Sequence, residues 1–502
     1  MFKGIKNVIP FTPKWRIIRF PRESCFRLFQ ALDTDSSMIC QLADLKMAMN
    51  ASQLKKALKP FKMGDSVLEG YLHLYKKFQQ GPKVVGRWKS LRSPDAKKLV
   101  DYKSLPIPER ASLESALARL AVCKLNGGLG TSMGCPGAKS AIVVRDKKTF
   151  LDLIAEQVGA LNKKYQADVP LIFMNSFHSH DETERIVGKY MGEPEVLSFR
   201  QNQYPRLLED DSGFLNPKKL GSEAWYPPGH GDLYSCLFAN GYLDRLLKEG
   251  REYLFISNAD NLGATVDLKI LDYVIKQDVP FLMEVTPKTV ADTKGGTLYM
   301  DKDHIKLLEV ANVPVEHIPE FCGQGKFKIF NTNNIWVNLA QLKELLKNGP
   351  LDLDVIVNRK QVKNAKVIQL ETAVGMALNS FPGAVGLTVP RGRFLPVKKT
   401  SDLLLVQSDL FSLDRGALKR DMGRTESGLP RISLEDPFND LKEYQKRIPI
   451  APDITELDSL EIQGQVRFSG RVTLKGKVRL VSGKKTLRVP KGAVLENKVV
   501  EQ

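Results

Sequence analysis

Residues 120–140, "LAVCKLNGGLGTSMGCPGAKS", decide how the rest of the chain is read. The stretch opens on residues 120–125, apolar except for Lys124, which read as a buried strand. Gly127, Gly128, Gly130, Gly134 and Gly137 follow, and Lys139 closes the run. Glycines after a strand put the loop at the strand's carboxyl end, the edge where open α/β sheets bind ligands. There they permit positive φ and let main-chain N–H groups approach a phosphate or a base edge. Two common nucleotide loops do not fit. A phosphate-binding loop of the Gly-x4-Gly-Lys-Ser/Thr kind is broken by Ala138, between Gly137 and Lys139. A dinucleotide turn is broken too: the interval from Gly128 to Gly134 is one residue too long and runs into Pro136. What remains is a glycine loop with one lysine able to reach a phosphate as a point charge.

Outward from this loop, short apolar runs alternate with helical patterns. Residues 120–125, 170–174, 253–256 and 280–285 read as strands, and 149–164, 181–190 and 268–275 as helices. The alternation predicts a three-layer α/β domain with a mostly parallel sheet. Residues 41–80 carry apolar residues at helical spacing, and a polar, proline-bearing link follows at 93–108. The last fifty residues obey a different rule. Leu460, Val466, Val472 and Val478 recur every six residues, Ile462, Phe468, Leu474 and Leu480 keep the same step, and Gly464, Gly470 and Gly476 lie between them. A hexad with two inward apolar positions and a glycine at the turn predicts stacked β-helix coils, whose open end is a docking surface.

At 502 residues the chain is long enough for two or three cores. Its 75 basic and 57 acidic residues give a formal charge of +18, a bias toward anionic partners. The basic residues are spread out rather than gathered among aromatics, which argues against nucleic acid. No apolar run is long enough to span a membrane, so no membrane partner is expected. Cys25, Cys40, Cys123, Cys135, Cys236 and Cys322 are few and scattered, with no C-x-x-C pair, which points to a reducing, cytoplasmic setting. The first 22 residues hold six Lys/Arg and no acid, but Pro10, Pro13 and Pro21 interrupt any amphipathic targeting helix, so a loosely attached extension is expected.

Residues 125–134, "LNGGLGTSMG", with Lys139 and Ser140, resemble the nucleotide-binding loop of eukaryotic-type UDP-glucose pyrophosphorylase, or UTP:glucose-1-phosphate uridylyltransferase. "NSFHSHDET", "WYPPGHGDLY", "FISNADNLGATVD", "KGGTL", "KFKIFNTNNIWV", "VIQLETAVG" and "RFLPVKKTSDLLLV" resemble that family in the same order, from about residue 51 to the C terminus. The resemblance implies an α/β fold: a Rossmann-like, glycosyltransferase-A-like nucleotidyltransferase domain at 111–410 with a C-terminal left-handed β-helix at 454–502. A basic extension at 1–50 and a helical segment at 51–110 precede that domain, and a linker at 411–453 follows it.

The implied reaction joins UTP and glucose 1-phosphate to give UDP-glucose and pyrophosphate, reversibly. The sugar phosphate is the nucleophile, so the protein has to supply alignment and charge neutralisation. By resemblance Lys139 sits on the UTP phosphates, and Lys398 bridges the attacking and transferring phosphates. Lys399 stands where the family has threonine; Lys398 is preferred because it directly follows "LPV". Asp260 is the implied Mg²⁺ ligand, a hard carboxylate completed by phosphate oxygens and water. Leu125, Asn126, Gly127 and Gly128 through their backbone, Gln201 and Gly229 read uracil, and His230 contacts phosphate. Asn258 and its neighbour Ala259, Gly296, Glu309 and Asn334 serve the sugar side, with Glu371 in support. His178 and His180, spaced like same-face strand residues, have no third ligand and are not read as a metal site.

Three alternatives stay open. In relatives that form UDP-N-acetylhexosamines or use many sugar phosphates, a basic residue replaces the Ser132–Met133 pair, so "GTSMG" favours glucose. A nicotinamide dehydrogenase needs an acid about twenty residues after the loop, and Asp146 lies too near. A scaffold without catalysis has no positive support. Some family members dock their β-helices end to end, so a homo-oligomer and a monomer both remain open.

Overall fold

The computed structural model describes residues 49–502, apart from 82, 84, 86, 87, 136, 191, 211, 290, 291, 293, 294 and 421–427. The basic extension, the helical pattern before residue 49, Cys25 and Cys40 therefore lie outside the described residues. Met49–Gln502 forms one compact unit.

Eight strands make the central sheet: β1 (Leu99–Asp101), β2 (Leu120–Asn126), β3 (Leu171–Asn175), β4 (Val196–Arg200), β5 (Tyr253–Asn258), β6 (Phe281–Pro287), β7 (Ile329–Asn338) and β8 (Val385–Thr388). Their spatial order is β1-β8-β6-β7-β5-β2-β3-β4. All neighbouring pairs are parallel except those made by β7, which runs antiparallel to both β5 and β6. The fold is thus mixed α/β with a mainly parallel sheet.

Every residue of β2 is buried, which requires cover on both faces. On one face Leu120 and Val122 join Tyr253 and Phe255 in a core that continues into the C-terminal strands. On the other, Ala121, Cys123 and Leu125 pack with Leu254 and Ile256. Helix α1 (Phe150–Tyr165) is one cover, and its start is set by a capping box. Thr149 Oγ1 accepts from the Asp152 N–H, and the Asp152 carboxylate accepts from the Thr149 N–H. The amino-terminal helices Ala51–Leu58 and Asp65–Gln79 pack through Leu54, Leu58, Tyr71 and Tyr75 on Tyr204, Tyr226, Ile368 and Leu370.

At the C terminus, β9 (Arg431–Leu434), β10 (Leu457–Phe468), β11 (Thr473–Val489), β12 (Val494–Glu496) and β13 (Val499–Glu501) pair only in parallel. Leu460 lies opposite Val478 and Ile462 opposite Leu480, a step of three hexads. The apolar hexad positions Leu460, Ile462, Val466, Phe468, Val472, Leu474, Val478 and Leu480 are all buried. Gly464 (φ 74°) and Gly476 (φ 60°) turn the chain in the left-handed region, where a side chain would be strained.

Candidate active site

The carboxyl ends of β5, β2, β3 and β4 lie side by side, and each is followed by residues of interest. β2 runs into the glycine loop, β5 into Asp260, β4 into Gln201, and β3 into the turn and helix that hold the loop in place. Asn126 Nδ2 donates to Asn175 Oδ1 (2.7 Å) and Thr183 Oγ1 (2.8 Å), and its carbonyl accepts from Ser179 Oγ (2.6 Å). The loop's far end is held from the same helix, α2 (His180–Val187): Ala138 N–H donates to Glu182 Oε2 at 2.8 Å. The stretch "NSFHSHDET" is therefore an anchor for the glycine loop. His178 stands in the turn and His180 opens the helix, 3.2 Å from Asn175 Nδ2, so the two do not share a strand face.

Most of the glycines are not there for unusual dihedrals: among the described residues between 127 and 137 only Gly134 has positive φ. A side chain at Gly127 would collide with the Gln201 amide, and one at Gly137 with Glu182. Gly128 opens to free space. Leu125 and Asn126 give their carbonyls to Ala259 N–H and Ser179 Oγ, so they fix the loop, while Gly127 and Gly128 form its approachable face.

Gln201 is buried, its main-chain N–H donates to Asn175 O (2.8 Å), and its Oε1 has no hydrogen-bond partner. An orphaned buried amide oxygen beside a glycine is costly unless a ligand satisfies it. The next residue is clamped by Asp232, which accepts from Asn202 N (2.7 Å) and Nδ2 (2.9 Å). Asp232 ends the loop that begins at Gly229 (φ 86°), whose missing side chain leaves room for the Thr372 backbone. Thr372 N–H donates to Pro228 O and its carbonyl accepts from Gly231 N–H, both at 2.9 Å, so the strand ending at Glu371 braces this loop. His230 Nδ1 accepts from Val374 N–H at 2.8 Å, which leaves the ring proton on Nε2. Burial pushes the imidazole down to about 4, against the pull of the Asp260 charge, so His230 is a neutral donor at neutral pH.

Asp260 and Lys139 meet: Lys139 Nζ lies 2.7 Å from Asp260 Oδ2, with the two side chains 14% and 20% exposed. Asp260 Oδ1 is buried with no hydrogen-bond partner. The Asp260 loop is zipped to the segment that carries Lys398. Val397 N–H donates to Asp260 O (3.1 Å), Asn261 and Pro396 form a β-bridge, and Asn261 Oδ1 accepts from Leu395 N–H (2.8 Å). Lys398 and Lys399 are both exposed at the start of helix α3 (Thr400–Gln407), and both N–H groups donate to Asp402 Oδ2. The Lys398 charge is felt at Glu309, whose carboxyl burial pushes up to about 7 while the Asn331 amide and Lys398 pull it back. Gly296 faces the same carboxylate: a side chain there would meet Glu309 Oε1 at 2.6 Å.

One expected sugar residue is not at this corner. Asn334 is fully buried; its Nδ2 donates to Glu284 Oε2 (3.1 Å) and Arg393 O (3.2 Å), and its Oδ1 accepts from Asn261 (3.3 Å). Its amide is committed inside the protein. The carboxamide beside Glu309 belongs to Asn331, whose N–H donates to Gly296 O at 2.9 Å. The motif "NTNN" offered the right residue type without a signal for which asparagine points outward. Sequence reasoning also missed Asn261, Asp232 and Thr372, because their roles depend on contacts far along the chain.

A divalent cation fits these donors. Asp260 offers one unsatisfied oxygen, and no group of three or more His, Cys, Asp or Glu side chains able to hold a metal occurs among the described residues. A single carboxylate that leaves most positions to substrate oxygens and water is a usual Mg²⁺ arrangement.

Comparison with known proteins adds to this geometry. Residues 68–475 match the family model described as UTP–glucose-1-phosphate uridylyltransferase. The UTP–glucose-1-phosphate uridylyltransferase of Musa acuminata is 47% identical over 465 residues, covering 91% of this chain and 99% of that one. The Hordeum vulgare protein of the same name is 48% identical over 435 residues, with 86% and 92% coverage. A crystal structure of a Leishmania major UDP-glucose pyrophosphorylase variant in complex with UDP-glucose superposes with a TM-score of 0.81 at 30% identity, covering 91% of this chain and all of that one.

Proposed function

Because the chain belongs to the UTP–glucose-1-phosphate uridylyltransferase family, we propose that it transfers the uridylyl group of UTP to glucose 1-phosphate, releasing pyrophosphate and forming UDP-glucose reversibly. The observation that carries the residue assignments is the pairing of Lys139 with a half-satisfied Asp260 on a loop bonded to the Lys398 segment. In this reading Gln201, with its orphaned Oε1, and the Gly127–Gly128 backbone take the uracil edge. Gly229 lies with them on the uracil side, and the neutral Nε2–H of His230 faces the phosphates. Lys139 would turn from Asp260 to the triphosphate, and the freed carboxylate would hold Mg²⁺. Bound there, Mg²⁺ neutralises phosphate charge and helps orient the triphosphate. Lys398 reaches the phosphate of the sugar and offsets charge on the transferring group. Gly296, Glu309 and Asn331 meet sugar hydroxyls, with Asn258 and Ala259 at the end of β5 lining the approach.

The central domain is read as a glycosyltransferase-A-like nucleotidyltransferase at 111–410, and the hexad coils at 454–502 as a left-handed β-helix, supported by their parallel three-hexad register. The β-helix end is the proposed contact in any homo-oligomer. A cytoplasmic setting is supported by the four described cysteines, all free of disulfides. No helix among the described residues is long and apolar enough to cross a membrane.

The test is pyrophosphate release from UTP and glucose 1-phosphate with Mg²⁺, comparing the intact protein with Lys398→Ala. Removing a cation that acts on the transferring phosphoryl group costs about a thousandfold in kcat. No release from the intact protein while UTP still binds would overturn the reaction. An unchanged rate in the variant would overturn the role of Lys398. Use of N-acetylglucosamine 1-phosphate as readily as glucose 1-phosphate would overturn the sugar assignment.

A further inference from the structure

Lys124 lies within β2, fully buried, where a lysine is rarely found without an acid. No carboxylate is within ion-pair distance of it among the described residues. Its Nζ donates to Ser257 Oγ (2.7 Å) and Ala264 O (2.8 Å), and it sits 5.6 Å from the centre of the Phe255 ring. The ionisable groups that reach it are Arg393, which opposes its charge, and Cys123 and Glu284, which favour it, Glu284 being already held by Arg393. Burial brings the amine down to about 7, so keeping it here is costly. A methionine of similar length would fill the same space with no polar atom to satisfy.

What the amine gains is the position of its two partners. Ser257 is the penultimate residue of β5 and Ala264 lies seven residues on, so one Nζ ties the entry and exit of the loop that carries Asp260. Asn261, within that loop, is in turn bonded to the Lys398 segment. We propose that Lys124 is a positioning residue: by pinning residues 257 and 264 to each other it sets the Asp260 carboxylate for a divalent cation. This rests on the reading of Asp260 as the cation-holding carboxylate.

The test measures Mn²⁺ affinity in the UTP complex by electron paramagnetic resonance, and UDP-glucose affinity in chelator by calorimetry, for the intact protein, Lys124→Met, Ser257→Ala and Asp260→Asn. Loss of a group that orients a metal ligand costs roughly tenfold to a hundredfold in metal affinity. Lys124→Met is expected to weaken Mn²⁺ by about thirtyfold and Ser257→Ala by about tenfold, with metal-free UDP-glucose affinity unchanged within about threefold. Unchanged Mn²⁺ affinity in Lys124→Met, or an equal fall in metal-free UDP-glucose affinity, overturns the proposal. If Lys124→Met does not fold, Ser257→Ala decides on the same criterion. If Asp260→Asn itself leaves Mn²⁺ affinity intact, the reading of Asp260 fails and the inference falls with it. If Asp260→Asn loses Mn²⁺ and Lys124→Met does not, only the inference fails.

Discussion

Glu284 and Asp260 are both carboxylates beside a basic side chain, and they differ in how completely they are satisfied. Glu284 is fully buried and has no oxygen to spare. Arg393 donates to both of its oxygens (2.7 and 2.6 Å), with Trp336 Nε1 on one at 2.9 Å and Asn334 Nδ2 on the other at 3.1 Å. Asp260 gives one oxygen to Lys139 and leaves the other buried without a partner. Charge pairing is common to both sites; the unfilled valence belongs to the one at the carboxyl edge of the sheet. A saturated pair holds backbone in place, here the segment that leads to Lys398, whereas a half-satisfied pair is poised to exchange its partner for a ligand.

The contrast breaks most sharply at Arg393. Arg393→Met strands the Glu284 charge, so the unfolding free energy is expected to fall by about 3–5 kcal/mol in a denaturant titration. A loss below about 1 kcal/mol would mean that the network is not structural. A smaller effect is expected at Gly127, where the glycine makes room for Gln201. Gly127→Ala is expected to cost about 2 kcal/mol of UTP affinity, roughly thirtyfold, by displacing the amide. Unchanged UTP binding by calorimetry would remove Gln201 from the base site.

Glu309 supplies a pH test. Its folded carboxyl is raised from 4.5 to about 7, so the folded state holds the proton more tightly than the unfolded chain. The native state is therefore favoured at pH below 4.5 and loses that advantage as pH rises to about 7. Glu309→Gln removes the ionisation and is expected to be about 2 kcal/mol more stable than the parent at pH 8, with the difference vanishing near pH 4. A constant difference across that range would contradict the buried setting of Glu309. The smallest effect concerns His230, whose folded value near 4 lies below the ordinary 6.5. Its stabilising contribution is lost on acidification from about pH 6.5 toward 4, and the ring is neutral above that window. The KM for UTP is accordingly expected to show no imidazole step between about pH 6 and 8. A step near 6.5 that disappears in His230→Gln would contradict the neutral donor.

Much of the architecture was legible because it follows local periodicity. The buried run before the glycines became β2 (Leu120–Asn126), and the pattern over 149–164 became helix Phe150–Tyr165, started by Thr149. The six-residue step of Leu460, Val466, Val472 and Val478 became strands paired in parallel, three hexads apart in register. Strand β7 was not foreseen, since an antiparallel strand inserted between β5 and β6 is a matter of long-range pairing and leaves no mark on its own apolar pattern. The site divides in the same way. The glycine loop, Asp260 and Lys139 stood out by residue type and by their place after strands. Which asparagine of "NTNN" faces Glu309, why Gly127 lacks a side chain, and what Lys124 holds depend on partners distant in sequence, 22 residues away for Asn331–Glu309, 74 for Gly127–Gln201 and 140 for Lys124–Ala264.

The most direct test of the half-satisfied carboxylate is pyrophosphate release from UTP and glucose 1-phosphate by Asp260→Asn at saturating Mg²⁺, set against the intact protein. A fall of about a thousandfold in kcat is the predicted result, as expected when a group that holds the catalytic cation is lost. A variant that keeps its rate within about tenfold would contradict it, and would place Asp260 beside Glu284 among the residues that only hold the fold.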